Sequence, residues 1–256
     1  MALQTAWSRA QPGLALVGLG AVAYGCWSLL TRKREANPAE LYGPSHRALQ
    51  AANDTTRLAD LLQKMAREEF SPDDRSFIEG ASMVFLSTVD ANGMPTVSYK
   101  GGAPNFVKIT GQKELVIPMY DGNGMYLSLG NVSATSKVGL LFIDFDKPKR
   151  LRAQGTASVS QAPELLAMFP GAQYAVVVSV ASLYVNCGRY IHTRAGLSQH
   201  VPNEEGKQPI AGWKRIDVIS TSLSEKDRKK VEELGVVGIQ SYTGEDEPDM
   251  GTLAVQ

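Results

Sequence analysis

The run Tyr99-Lys100-Gly101-Gly102-Ala103-Pro104-Asn105-Phe106 sets a lysine beside two glycines. Glycine lets main-chain N–H groups approach a ligand closely and an ammonium adds a point charge, so the combination suits a phosphate. The same residues also make an ordinary hairpin turn or bulge with a solvated lysine. Arg150 and Arg152 are spaced by two. On a strand that spacing puts both guanidinium groups on one face, where they either share an anion or stand in solvent. His46, His192 and His200 lie in separate segments without metal-ligand spacing, which argues against a zinc site or a Ser-His-Asp triad. Two cysteines, Cys26 in an apolar run and Cys187, imply no disulfide framework and suit a reducing compartment. Cys187 reads as a small buried hydrophobe or a redox thiol.

These residues need a scaffold, and the pattern around them is one of short strands. Ser82–Val89 is apolar and β-branched, Asp90-Ala91-Asn92-Gly93 is a turn, and Thr96–Tyr99 returns antiparallel. Further strands are predicted at Phe106–Ile109, Glu114–Pro118, Val138–Phe145, Arg150–Val159 and Tyr174–Asn186. Between Asn123 and Thr135 the period becomes helical, with Met125, Leu129 and Val132 at i, i+4 and i+7. Many turn-separated strands with one inserted helix predict a small, mostly antiparallel barrel.

Residues 81–159 resemble the flavin-binding split barrel of the pyridoxamine 5′-phosphate oxidase type. The pieces that carry the resemblance are Thr88–Gly93, Lys100–Phe106, Tyr120-Asp121-Gly122-Asn123, Ser128-Leu129-Gly130-Asn131, Val138–Asp144 and Arg150–Gly155, with Asn186–Ile191 closing the set. The resemblance implies a mainly β protein with flanking helices (α+β), a six-stranded antiparallel split β-barrel, and FMN bound in the cleft of a homodimer. It implies that Tyr99, Lys100, Gly101 and Gly102 form the phosphate-side strand, with Asp121, Gly122 and Asn123 at the next strand end. Ser128 and Asn131 would contribute from the helix, Arg150 and Arg152 would clamp or tune the flavin, and Arg189 would meet an anionic substrate. The cofactor would perform hydride chemistry with a small-molecule electron donor or acceptor, so no catalytic side chain is assigned. After residue 160 the chain lacks the Trp, Gln and Arg-Leu-His-type cluster with which the true oxidases grip their substrate. The implied function is therefore that of an FMN-dependent oxidoreductase other than the vitamin B6 enzyme. A non-catalytic module that holds flavin, deazaflavin, haem or a protein partner is the contrasting reading.

The amino terminus carries a second message. No residue from Ala10 to Thr31 is charged, and Arg9 and Arg32-Lys33-Arg34 bound the segment. At about 1.5 Å per residue it would extend about 33 Å, enough for a bilayer core of about 30 Å. Trp7 and Trp27 lie near its ends, and the basic cluster predicts a single-pass helix with the globular part facing the cytoplasm, at the cell or an organelle membrane. A cleaved signal or targeting segment is the competing expectation. Gly18-Leu19-Gly20-Ala21-Val22-Ala23 satisfies a dinucleotide-binding pattern, but no strand precedes it and no βαβ unit follows.

The organisation expected from these signals is an anchor over 1–34, a tether over 35–52, a helical lead-in over 53–80 and the barrel over 81–220. A helix and strand follow over 221–240, then a disordered tail over 241–256. In the lead-in, Leu58, Leu61, Leu62 and Met65 form one apolar stripe, and Ser71-Pro72-Asp73-Asp74 opens a second helix with a cap, a proline and acids in its first turn. Toward the end, Ala162–Phe169 reads as a short helix, and Ser224 caps another that Gly235 stops. The 256 residues carry 26 basic and 26 acidic side chains, and no basic stripe alternates with aromatics, so nucleic-acid binding has no support.

Overall fold

The structure is a computed structural model and describes residues 40–196, 198, 202, 204 and 209–242. The segment from Ala10 to Thr31 lies outside them. Among the described residues no helix is long and apolar enough to cross a membrane.

Seven strands form one antiparallel sheet: β1 (Met83–Val89), β2 (Pro95–Gly101), β3 (Lys108–Ile109), β4 (Glu114–Met119), β5 (Lys137–Asp144), β6 (Lys149–Ser160) and β7 (Tyr174–Asn186). Their order is β2-β1-β5-β6-β7-β4-β3. The sheet is thus open and seven-stranded, with β2 and β3 as its edges, where a six-stranded barrel was expected. The expected Phe106–Ile109 strand survives only as the two residues of β3, because Phe106 and Val107 turn into the core.

The sheet still curls. One apolar cluster draws Val84 and Leu86 from β1, Phe142 from β5, Leu151 from β6, Val178 from β7 and Ile117 from β4. Strands from one end of the order to the other can share a core only if the sheet wraps around it. Each such large side chain removed from water contributes about 1.5–3 kcal/mol. Gly155 marks where β6 bends: a Cβ there would stand 2.0 Å from the Ser179 carbonyl oxygen, beside a register shift at Gln154/Gly155. The β1–β2 turn forms as the sequence predicts. Asp90 Oδ1 accepts from the N–H groups of Asn92 and Met94, and Gly93 supplies a φ of +85°.

Helices flank this sheet. The span expected to be a tether contains α1 (Pro44–Ala52), started by Pro44 and by Gly43 N–H donating to His46 Nδ1. The apolar stripe lies on α2 (Thr56–Met65), and α3 (Pro72–Gly80) opens with a reciprocal cap between Ser71 and Asp74. Asp74, 3% exposed, also accepts from Arg67 Nη2 at both carboxylate oxygens. The central helix α4 spans Leu127–Thr135 and begins four residues later than expected. Asn123 Oδ1 accepts from Met125 N–H, and positive φ at Gly124 and Tyr126 keeps the chain out of the helix until Leu127. Met125 therefore leaves the predicted stripe and is exposed.

Short helix α5 (Pro163–Leu166) covers part of the expected 162–169 span, and Phe169 beyond it packs with Val116 and Ala175. The carboxyl-terminal part builds a second small core, in which Trp213, Ile216, Ile219, Leu223 and Val231 pack on Leu58. It holds α6 (Asp217–Ser220) and α7 (Glu225–Leu234), the latter capped by Ser224 and ended at Gly235 as expected. The expected strand after it is a single parallel bridge, Ile216 to Val237, because Gly235 at φ +84° redirects the chain.

Candidate functional site

On β2 alternate residues face opposite ways, so Ser98 and Lys100 look inward, opposite Leu86 and Val84, while Val97 and Tyr99 look outward. Apolar strands do not cover the inward face of this edge strand. Helix α4 and the loop before it do, and they leave a depression of about 210 Å³. Ser98, Lys100, Asp121, Ser128, Gln173 and Tyr174 are among its walls.

Three features make the depression suited to an anion. Lys100 is half-buried, and burial alone holds its ammonium below the ordinary lysine range, with no carboxylate contributing. The Ser98 and Ser128 hydroxyl oxygens are 3.0 Å apart. Helix α4 begins at Tyr126 without a side-chain cap, and its first internal bond runs from Gly130 N–H to Tyr126 C=O. The N–H groups of Leu127, Ser128 and Leu129 are therefore free of helical partners at the positive end of the helix dipole, and all three residues line the depression. An ammonium, a hydroxyl pair and an uncapped helix N-terminus can together hold a phosphate.

The residues singled out from the sequence fall into separate groups. Lys100, Asp121, Gly122, Asn123 and Ser128 meet at the depression. Asp121 accepts from Gln173 Nε2 at 3.4 Å, and the Asn123 amide is used in the turn to Met125. Tyr99 lies on the other face, exposed and edge-on to Phe85 at 6.0 Å. Gly101 and Gly102 make room for side chains of this chain: a Cβ at Gly101 would come 2.8 Å from the Tyr99 ring, and one at Gly102 would come 2.7 Å from Phe106 Cβ. Asn131 is buried under α4 and bonds to Thr88 and Thr96.

Arg150 and Arg152 share one face, as their spacing predicts, but it is the outward face. Arg152 stands opposite Leu141 on β5, Leu141 opposite Phe85 on β1, and Phe85 opposite Tyr99 on β2. Arg150 is partly buried, and burial followed by the neighbouring Arg152 charge works against its protonated form. Its Nε is enclosed without a hydrogen-bond partner among the described residues. Arg189 donates to the Tyr190 hydroxyl at 2.7 Å and stacks over that ring, apart from the depression.

Sequence reasoning missed Ser98, although its spacing of two from Lys100 on a predicted strand places both on one face. It also missed the apolar lip of Tyr120, Met125, Tyr126 and Leu127, all exposed beside the depression. That lip depends on the late start of α4, which no periodicity announces.

Residues 70–195 match the family model described as pyridoxamine 5′-phosphate oxidase. No curated protein matches the chain. Solved structures with similarity include HupZ from Group A Streptococcus, at 14% identity over 50% of this chain and 98% of that one, with a TM-score of 0.38. HutZ, the haem storage protein from Vibrio cholerae, is 17% identical over 46% of this chain and 94% of its own, with a TM-score of 0.35. An FMN-binding protein from Syntrophomonas wolfei is 17% identical over 55% of this chain and 92% of its own, with a TM-score of 0.34. Residues 70–195, which contain the whole sheet and the Lys100 depression, are thus a pyridoxamine 5′-phosphate oxidase-like segment.

Proposed function

We propose that the chain is an FMN-binding flavoprotein and an oxidoreductase, with the FMN phosphate seated in the Lys100 depression. The observation that carries this reading is the convergence of a half-buried ammonium, unpaired among the described residues, on the uncapped start of α4 and the Ser98–Ser128 hydroxyl pair. Without an anion, burying part of that charge is a cost with no return. Lys100 would supply charge, Ser128 a hydroxyl and Leu127–Leu129 their N–H groups. FMN would supply the hydride chemistry, and the apolar lip from Met125 to Leu127 would shield its ring from water.

Size supports a homodimer. At about 210 Å³ the depression is smaller than the roughly 300 Å³ at which small-molecule pockets begin. It suits the phosphate end and leaves the ring to be covered from elsewhere. Arg150 and Arg152 face away from the depression of their own chain, so they would reach a flavin bound to a second copy. The uncharged segment 10–31 supports a membrane location for the assembly.

The test is an FMN titration of the full-length protein, followed by flavin fluorescence and by the absorbance of any ligand released on denaturation. Lys100→Ala and Ser128→Ala should each weaken FMN by about 10- to 150-fold, the loss of one charge-assisted or buried contact. Wild-type affinity in both variants would remove the phosphate from this site. A Soret band in place of a flavin spectrum would favour a haem-binding role.

A further inference from the structure

Helix α4 lies on the β1–β2 hairpin through a polar seam. Ser128, Asn131 and Thr135 share one face of the helix, and each bonds to the hairpin. Ser128 Oγ meets Ser98 Oγ at 3.0 Å. Asn131 Nδ2 donates to Thr88 Oγ1 at 3.0 Å and to Thr96 Oγ1 at 3.3 Å. Thr88 and Thr96 are cross-strand partners whose hydroxyl oxygens are themselves 3.0 Å apart. Thr135 Oγ1 donates to Val89 C=O at 2.7 Å. Val132, 1% exposed, is the buried apolar side chain of this helix.

Directional bonds fix what apolar packing leaves loose. A helix docked through a broad apolar stripe can turn by some degrees and keep its contacts, whereas a turn here would pull the Asn131 amide from both threonines. Asn131 is 6% exposed and does not line the depression, and its amide nitrogen donates to both hairpin threonines. The residue one helical turn before it, Ser128, does line the depression, as do its neighbours Leu127 and Leu129 at the helix start.

We infer that Asn131, with Thr88 and Thr96, is a positioning device for the anion site: it sets the rotation of α4 that aims Ser128 and the first N–H groups at the phosphate, and it does not touch the ligand. The inference rests on the FMN reading above and assigns the control of phosphate selectivity to residues outside the depression.

The experiment compares FMN with riboflavin, which has the same ring and no phosphate, on the full-length protein. Asn131→Ala and Thr96→Val should each weaken FMN by about tenfold and leave riboflavin unchanged. Thr96→Ser keeps the hydroxyl and should bind as wild type. The Asn131→Ala/Thr96→Val double variant should be little worse than Asn131→Ala alone, because both remove one connection. Thr96→Val differs by a single hydroxyl and serves where Asn131→Ala does not fold. Loss in Asn131→Ala without loss in Thr96→Val would mean direct ligand contact and would overturn the inference. Equal weakening of riboflavin would overturn it too, as general loosening. A wild-type protein that holds FMN no tighter than riboflavin would instead remove the anion site itself, and this inference with it.

Discussion

Lys100 and Arg152 stand on opposite faces of one sheet. Lys100 pairs across from Val84 on the core side, whereas Arg152 belongs to an outward row that runs through Leu141 and Phe85 to Tyr99. Two cations so placed cannot grip one small ligand from a single chain. They can do so across a two-fold interface, where each copy presents the face the other lacks.

Subunit complementation follows from that geometry. Chains carrying Lys100→Ala and chains carrying Arg150→Ala should each bind FMN poorly alone. Mixed and reassembled, they should regain tight binding at about a quarter of the sites, those pairing an intact Lys100 with an intact Arg150 from the other copy. Stoichiometric flavin titration of the mixture reads this directly. No recovery would mean that the two residues do not share a ligand.

Lys100 should make binding depend on pH in a defined direction. Burial lowers its folded-state pKa, so the ammonium is present below that value and is lost as pH rises through it, in a window beginning beneath the ordinary lysine range. FMN affinity should fall across that window, and Lys100→Arg should carry binding to higher pH. The unliganded protein should behave oppositely. In the same window its unfolded chain holds more protons than its folded one, so stability rises with pH. Lys100→Met should raise the melting temperature without ligand while weakening FMN. Affinity and melting curves measured from neutral to alkaline pH separate the two effects.

Two glycines, one at the β6 bend and one on the wall of the depression, should respond differently to alanine. At Gly155 the new Cβ would meet the Ser179 carbonyl oxygen at 2.0 Å, a backbone atom that cannot swing aside, so Gly155→Ala should destabilise by about 3 kcal/mol or more. At Gly122, on the wall of the depression, nothing lies within 4 Å of the Cβ, and Gly122→Ala should stay within about 0.5 kcal/mol. Denaturant unfolding measures both. A large loss at Gly122 would mean that its backbone freedom matters more than its surroundings show.

The strands, the turn at Asp90–Gly93 and the caps at Ser71 and Ser224 were legible because each rests on local chemistry or on a period of two. The internal neighbours of Asn131 and of the glycines at 101 and 102 were hidden for one physical reason. Their residue types suit a ligand, but whether an amide or a missing Cβ serves a ligand or a neighbour depends on what tertiary packing brings beside it. For Asn131 that is Thr88 and Thr96, and for Gly102 it is Phe106. The sheet order hid the separation of Lys100 from Arg152 in the same way, since faces become comparable only once strand partners are known. The helix in 44–52 escaped because Pro38, Gly43 and Pro44 read as breaks, although Pro44 is well suited to a first helical turn.

The membrane expectation rests on residues 10–31, and it separates cleanly from the proposed flavin site. The described helices begin at Pro44, beyond the Arg32-Lys33-Arg34 cluster that would mark the cytoplasmic end of a span. A chain lacking residues 1–34 should therefore move from the membrane pellet to the supernatant on fractionation and keep wild-type FMN affinity. Full-length protein should resist alkaline carbonate and yield to detergent, as an integral span does and a peripheral contact does not. Extraction by carbonate alone would sink the single-pass assignment and leave the Lys100 site untouched. A retained pellet after deletion would point to the apolar lip at Met125–Leu127 as a membrane contact, which Met125→Ser and Leu127→Ser would then abolish.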